Sequence, residues 1–204
     1  MKVCLIITYY GELPKYFPLF LQGLKKMNFK VILVTDIVEI DDAKNLTVVR
    51  MTLKDVELLA EQKLGVKVCL SSHRRLCDFK PMYGKIFEEY LTEYDYWGFG
   101  DCDLIYGYAL RDVVNHGVSN GYDIISLRRH WITGSFCLVR NNDKCKMLYS
   151  RANNWKDVAT ATLKNCMDFD EVGGKWHQQL ESGVMTISDC HKYVDSFTAV
   201  VWRS

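Results

Sequence analysis

Two carboxylates separated by one residue are the strongest chemical signal in the chain. Asp101 and Asp103 flank Cys102 directly after the aromatic, glycine-containing stretch 94–100. Because alternate residues of an extended segment point the same way, both carboxylates can face one site. Neighbouring carboxylates repel each other, and a divalent cation that prefers oxygen ligands, Mn2+ or Mg2+, removes that conflict. The spacing therefore predicts a metal site that bridges to a ligand's phosphates. An acidic surface turn is the alternative.

A second chemical pattern precedes a helix start at Pro81. Lys80 supplies a point charge for phosphate, and a helix amino terminus also favours anions. Asp78 could accept hydrogen bonds from sugar hydroxyls. The alternative interpretation is a helix cap followed by a solvated lysine.

The ends of the first two predicted strands carry residues that suit a nucleotide. The first strand ends at Thr8 and leads into Tyr9, Tyr10 and Gly11, an aromatic glycine turn that could stack on a nucleobase. Asp36 ends the second strand and could hydrogen-bond the base or ribose. Turn chemistry with core packing, and a strand-end cap, are the respective alternatives.

An acidic segment lies late in the chain, at residues 168–171. Asp170 and Glu171 could supply a base that deprotonates an acceptor hydroxyl, and an acidic loop at a helix end is the alternative. Two small basic clusters, 73–75 and 128–131, are typical of solvated surface. Phosphate neutralisation is their functional alternative.

The elements that position these residues alternate between strand and helix. Alternation predicts an α/β fold with a mostly parallel central sheet covered by helices on both faces, and ligands of such sheets bind beyond the carboxyl ends of the strands. Asp36 and Asp101 to Asp103 fall at such ends. Hydrophobic runs predict strands at residues 3–8, 30–35, 46–51, 94–100, 123–127 and 135–140, with 197–202 strand-like as well.

Helices are predicted from apolar spacing and capping residues. Thr52 with Asp55 forms a capping-box pattern before a helix that ends at Gly65. Pro81 is favoured in a first turn, and apolar spacing continues that helix to Leu91. The remaining predicted helices are residues 17–27, a short one at 110–114, and one after Asn154 as a plausible cap.

Composition bounds the class of protein. The chain has 204 residues, which predicts one domain spanning 1–204. Its net charge of +1 does not favour binding to nucleic acid. No apolar run is long enough for a membrane helix. The sequence lacks an export signal, so we expect a cytoplasmic protein whose eight cysteines are reduced. The sequence contains no Cys-x-x-Cys pair, the spacing that would indicate a zinc site.

Taken together, these segments resemble the bacterial glycosyltransferase-like proteins with the GT-A fold. The resemblance covers roughly residues 3–175 and depends most on two stretches, 76–84 (LCDFKPMYG) and 96–107 (YWGFGDCDLIYG). Weaker support comes from residues 6–11 (IITYYG), 34–36 (VTD) and 134–141 (GSFCLVRN).

The resemblance implies a UDP- or GDP-sugar donor and a glycan or other hydroxyl acceptor. Asp101 and Asp103 would hold Mn2+ or Mg2+ against the diphosphate, and residues 8–11 and Asp36 would line the nucleotide pocket. The remaining implied roles are the donor side for Asp78, Lys80 and Cys102, the acceptor side for Gly134 and Ser135, and catalysis for Asp170 and Glu171. GT-A enzymes often add a late histidine ligand, and His177 and His191 match no such pattern.

Two rival functions follow from the same residues. Phosphoryl transfer by an aspartate nucleophile also uses Asp-x-Asp, but there the motif normally ends the first strand, where this chain has Tyr9, Tyr10 and Gly11. The other rival is a nucleotide-binding or scaffold protein that kept the fold and lost catalysis.

Overall fold

Six strands form one mixed sheet in the computed structural model, which describes residues 1–173, 176–191 and 195–204. The sheet order is β3-β2-β1-β4-β6-β5, and β6 alone runs against the other five strands. The strands are β1 (Val3–Thr8), β2 (Lys30–Thr35), β3 (Leu46–Arg50), β4 (Tyr96–Gly100), β5 (Ile124–Ser126) and β6 (Phe136–Arg140).

Helices cover both faces of the sheet, as the alternation predicts. The α-helices of the described part are α1 (Phe17–Leu24), α2 (Leu53–Leu64), α3 (Leu76–Phe79), α4 (Tyr83–Ile86), α5 (Tyr108–Ser119), α6 (Asp143–Lys146), α7 (Trp155–Thr160), α8 (His177–Glu181), α9 (Ile187–His191) and α10 (Phe197–Trp202). Short 3-10 turns lie at His73–Arg75, Lys80–Met82, Glu88–Leu91 and Leu148–Arg151.

Buried alternation in the central strands builds a core on each face. Leu5 and Ile7 pack with α1 and α5 on one side, whereas Cys4 and Ile6 pack with α2 and the later helices on the other. Both sets of β1 side chains are buried because helices cover both faces, so the strand is apolar at successive positions. The predicted mostly parallel α/β sheet is thus confirmed at this level.

Local signals around α2 are confirmed in detail. The Thr52 hydroxyl accepts from the Asp55 amide at 3.2 Å, and the Asp55 carboxylate accepts from the Thr52 amide at 2.8 Å. Gly65 adopts the left-handed conformation, with φ of 66°, that ends a helix without a Cβ clash. Capping therefore fixes both ends of this helix from sequence alone.

The predicted long helix at 81–91 is wrong. Residues 81–91 divide into the end of the 3-10 turn Lys80–Met82, helix α4 and the 3-10 turn Glu88–Leu91. The helix stops at Ile86 because Phe87, with φ of −105° and ψ of 24°, leaves helical geometry. Gly84 lies against the Trp97 indole, where any Cβ would overlap the ring. The broken segment lets several side chains of 76–91 enter the core beneath the sheet.

Other predicted elements differ at their ends or in type. Residues 197–202 form helix α10 and not a strand, since Phe197 and Val200, three residues apart, both enter the core and the Ser196 hydroxyl caps the start. The strands at 46–51, 94–100, 123–127 and 135–140 are shorter than predicted, the helix at 17–27 stops at Leu24, and the one at 110–114 extends to Tyr108–Ser119. Asn154 precedes α7 without a side-chain cap.

Candidate functional site

The carboxyl ends of β1, β2 and β4 meet at one edge of the sheet. The amino end of β6 reaches the same edge, because Gly100 pairs with Phe136 and the Asp101 amide donates to the Ser135 carbonyl at 3.2 Å. Predicted site residues from five separate segments therefore share this edge: residues 8–11, Asp36, Lys80, residues 101–103 and residues 134–135.

A cleft of about 580 Å3 opens beyond β1 and β2, and we call it the first-strand cleft. Its lining residues come from the two strand-end loops and are Gly11, Glu12, Leu13, Asp36, Ile37, Val38 and Glu39. The Arg50 guanidinium donates to the carbonyls of Ile37, Val38 and Ile40, so it fastens the loop that forms one wall. Gly11, at φ of 102°, makes a turn that a larger residue would strain.

The two tyrosines after β1 have different environments. The Tyr10 hydroxyl donates to the Met51 carbonyl at 3.1 Å, and its ring packs against the core. Tyr9 donates to the Glu12 carbonyl at 2.6 Å, and its pKa is raised by burial and by Cys102, Tyr16, Asp103 and Glu12. Tyr9 therefore lies between the first-strand cleft and the acidic residues after β4.

The two carboxylates of the acidic turn at residues 101–103 differ in exposure. Asp101 is half-buried and Asp103 is exposed, whereas Cys102 points into the core. Burial raises the pKa of the Cys102 thiol to about 12. The segment is a turn and not the extended stretch predicted. Cys102 is a core residue, so the prediction that it contacts the donor is wrong.

Lys80 is the buried centre of a cluster that we call the lysine-centred cluster, formed by Lys80, Asp101, Gly134 and Asp170. Its ammonium donates to Asp101 Oδ1 at 2.8 Å and to the Gly134 carbonyl at 2.9 Å, and lies 3.7 Å from Asp170 Oδ2. Burial alone would lower the pKa of Lys80, but the two carboxylates outweigh it and raise that pKa. The lysine is a fixed, charged part of the site, and the alternative of a solvated lysine is wrong.

Asp170 is buried beside Gly134, and a Cβ on residue 134 would collide with the Asp170 carboxylate. Burial raises the pKa of Asp170 to about 8, although Lys80 acts in the opposite direction. A carboxyl whose pKa is higher in the folded protein holds its proton more tightly there than in the unfolded chain. Stability from this group is therefore present at low pH and is lost as pH rises between 3.8 and about 8.

We predict a matching pH dependence of stability. The free energy of unfolding should fall as pH rises from about 5 to about 8, and Asp170→Asn, which cannot ionise, should flatten that slope. Urea titrations at several pH values measure both proteins. Asp112→Asn, an exposed replacement on α5, should keep the wild-type slope. Equal slopes for wild type and Asp170→Asn would contradict the assignment.

Glu171 lies next to the cluster and anchors the start of β6. Its Oε1 accepts from the Gly134 amide at 2.7 Å and from the Thr133 hydroxyl at 3.3 Å. Its Oε2 lies 3.1 Å from His177 Nε2, close enough for an ion pair but out of line for a hydrogen bond. The His177 ring stacks on Trp131 at 4.7 Å between centroids. Ser135, the other predicted acceptor-side residue, shares a hydrogen bond with Thr133 at 2.8 Å.

Asp78 does not reach this edge as predicted. The side chain is fully buried, and its carboxylate accepts from Arg75 and from the amides of Met167 and Phe169. These contacts fasten the segment that leads to Asp170. A donor sugar has no access to Asp78, and Arg75 from the basic cluster 73–75 is likewise an internal partner.

The acidic turn fits a divalent cation in its donor chemistry. Mg2+ and Mn2+ are often held by one or two carboxylates, with water and substrate phosphate completing the set. Lys80 takes Asp101 Oδ1 and leaves Oδ2, and Asp103 makes no hydrogen bond within the described part of the chain. No group of three His, Cys, Asp or Glu suited to a metal occurs among the described residues, and the side chain of His191 lies outside them.

Some site residues gave no signal in the sequence. Thr133 and Trp131 hold Glu171 and His177 only because β6 is reversed, and a single sequence does not show strand direction. The hydrogen bond of 2.8 Å between Thr8 and Tyr83 was also unexpected, and it turns the Thr8 hydroxyl toward α4.

Among the described residues, no helix combines the length and apolar character needed to cross a bilayer, and all eight cysteines are free.

Comparison with known proteins assigns the chain to a family. No curated protein matches the chain. Residues 5–199 match the model of the family of unknown function DUF6625, so the chain belongs to that family.

Proposed function

We propose that the protein is a metal-dependent glycosyltransferase that moves a sugar from a nucleotide-diphosphate sugar to an acceptor hydroxyl. One observation carries the proposal: the first-strand cleft, the partly exposed acidic turn and the lysine-centred cluster lie in succession along one edge of the sheet. A GT-A-like fold is part of the proposal, supported by the parallel strands β3, β2, β1 and β4 next to the reversed β6.

The donor would lie across the first half of this edge. The first-strand cleft, at about 580 Å3, has the size of a small-ligand site. Asp36 would accept hydrogen bonds from the base or ribose, and Gly11 leaves room for close approach of the ligand. Asp101 and Asp103 would hold Mn2+ or Mg2+, which when bound would neutralise the charge that builds on the departing diphosphate.

The buried lysine supplies a second positive charge that is already in place. Its partners hold Lys80 so that little reorganisation is needed when negative charge develops nearby, which is the basis of electrostatic catalysis. The ammonium also keeps Asp101 oriented toward the edge through their 2.8 Å contact. We therefore assign Lys80 to the diphosphate side of the site.

Glu171 is the better of the two predicted bases. Asp170 is buried and lies beside Lys80, so an acceptor cannot approach it. Glu171 is partly exposed, and the Gly134 amide fixes its carboxylate at 2.7 Å. In an inverting reaction, Glu171 would accept the proton from the acceptor hydroxyl, and His177 beside it would stabilise the carboxylate when protonated.

Metal-dependent nucleotide binding tests the proposal. We expect UDP or GDP, with its sugar, to bind in the presence of Mn2+, as measured by calorimetry. Asp103→Asn should weaken that binding about 100-fold, which corresponds to about 2.8 kcal/mol. Asp103 is the sharper target, because it is exposed and its replacement leaves the Lys80 contact with Asp101 intact.

Asp112→Asn is the matched control, because Asp112 is an exposed aspartate on α5. It should bind nucleotide as the wild type does. Equal binding by wild type and Asp103→Asn would refute the metal role. Metal-dependent binding without any hydrolysis or transfer of the donor sugar would favour the rival function, a nucleotide-binding scaffold without catalysis.

A further inference from the structure

A second cleft lies near the end of β5, at the opposite side of the acidic turn from the first-strand cleft. Two adjoining cavities of about 340 and 180 Å3 share Arg129, His130, Ile187 and Trp202. We call the pair the C-terminal cleft. A small buried cluster that includes Trp131 and Ile187 supports it from below.

Trp202 gives the C-terminal cleft an aromatic wall. The side chain ends α10 and is 60% exposed, although Trp is usually well covered in folded proteins. An exposed indole inside a concave site offers a flat apolar face together with an N–H donor. The C–H face of a sugar ring fits such a surface.

Arg129 gives the same cleft an available positive charge. The neighbouring Arg128 pairs with Glu181 at 3.2 Å, whereas Arg129 makes no ion pair or hydrogen bond within the described part of the chain. His130 is also exposed and adds ring nitrogens. Of the nearby acids, Glu181 is held by Arg128 and Asp189 accepts from the Thr186 hydroxyl at 2.7 Å.

The C-terminal cleft is linked to the candidate base through two stacked rings. Trp131 lines the smaller cavity, and its ring stacks on His177, which lies 3.1 Å from Glu171. A ligand in this cleft would therefore reach Glu171 only by extending past these two rings. A ring held against Trp202 would have its charged group near Arg129.

We propose that the C-terminal cleft binds a sugar residue that carries a negative charge, either a carboxylate or a phosphate. Its assignment as the acceptor rests on the proposed function. The binding itself needs only the indole, the unpaired guanidinium and the cavity. A neutral sugar would lose the contact with Arg129, and a small anion without a ring would lose the contact with Trp202.

Ligand-observed NMR and calorimetry on the full chain test this site. The probes are methyl glucuronide, glucose 6-phosphate, neutral methyl glucoside and inorganic phosphate. We expect at least one anionic sugar to bind with a Kd on the order of 1 mM, and methyl glucoside and inorganic phosphate to bind at least about tenfold more weakly. Which anionic sugar binds identifies carboxylate or phosphate as the recognised group.

Two variants locate the binding. Trp202→Ala and Arg129→Gln should each weaken it at least about tenfold, and both side chains are exposed, so the fold should survive. Arg74→Gln, an exposed arginine elsewhere, is the control. Binding that is unchanged in both variants, equal affinity for methyl glucoside, or no binding of either anionic sugar at about 10 mM would overturn the proposal.

The donor titration separates this proposal from the proposed function. Anionic sugar binding without metal-dependent nucleotide binding would leave the C-terminal cleft standing and remove its assignment as an acceptor site. Nucleotide binding without binding of either anionic sugar would overturn the proposal for the C-terminal cleft and leave the proposed function standing. Trp202→Ala and Arg129→Gln should also leave nucleotide affinity unchanged, because neither residue lines the first-strand cleft. A uridine nucleotide that competes with the anionic sugar for the C-terminal cleft would overturn the assignment to sugar.

Discussion

Lys80→Met is expected to lower the free energy of unfolding by about 3–5 kcal/mol, the usual loss when one member of a buried ion pair is removed. The lysine is 6% exposed and holds two carboxylates and a carbonyl, so its loss leaves Asp170 buried without a counter-charge. The loss should be larger at pH 8 than at pH 6. At pH 6 Asp170 carries a proton and is uncharged, so it avoids the cost of a buried charge without a partner. Guanidinium titrations at both pH values measure it.

Two further variants distinguish the charge effect from simple loss of packing. At pH 8, Lys80→Met combined with Asp170→Asn removes both charges and should recover most of the stability lost in Lys80→Met. Lys85→Met removes an ion pair with Glu88 whose partners are both partly exposed, and should cost at most about 1 kcal/mol. A double variant that is as unstable at pH 8 as Lys80→Met alone would show that the carboxylate of Asp170 is not the source of the loss.

Asp78→Ala is expected to be equally severe, again about 3–5 kcal/mol. Arg75 and Asp78 are both fully buried, so the arginine would keep its charge without a partner. The amides of Met167 and Phe169 would also lose their acceptor. The expected result is destabilisation with looser placement of residues 166–171, measured by denaturant unfolding and by faster amide hydrogen exchange in that segment.

A paired replacement tests the physical origin of that loss. Arg75→Met with Asp78→Asn removes both charges but keeps a side-chain oxygen for the two amides, so it should restore most of the stability. If Asp78 instead contacted a donor sugar, Asp78→Asn would weaken donor binding and leave stability near the wild-type value. That outcome would contradict the buried position of the carboxylate.

Much of the fold follows from local patterns in the sequence. The bounds of β1 and β2 are as predicted because both strands are buried on two faces and their apolar runs end abruptly. The capping box at Thr52 fixes the start of α2. Residues 197–202 were mispredicted because their β-branched composition favours a strand, whereas packing of Phe197 and Val200 decides for a helix.

The candidate site was predictable where it depends on strand ends and not where it depends on burial. Asp36, Asp101 and Asp103 follow strands, so their edge position can be inferred from order along the chain. Lys80 reaches the site because it contacts Asp170 and the Gly134 carbonyl, which are distant in sequence. Asp78 is instead buried against Arg75. Periodicity carries no information on such contacts.

The reversed direction of β6 separates two kinds of connection at the site. Residues 127–135 join β5 to β6 as a hairpin whose two ends both lie at the functional edge, whereas the loops after β1 and β2 lead into crossovers to the next parallel strand. A hairpin loop can gain or lose residues without moving the strands that it joins. The exposed part of this wall, which carries Arg129 and His130, can therefore change in length without moving the strands, whereas Trp131 and Ile132 are held in place by burial.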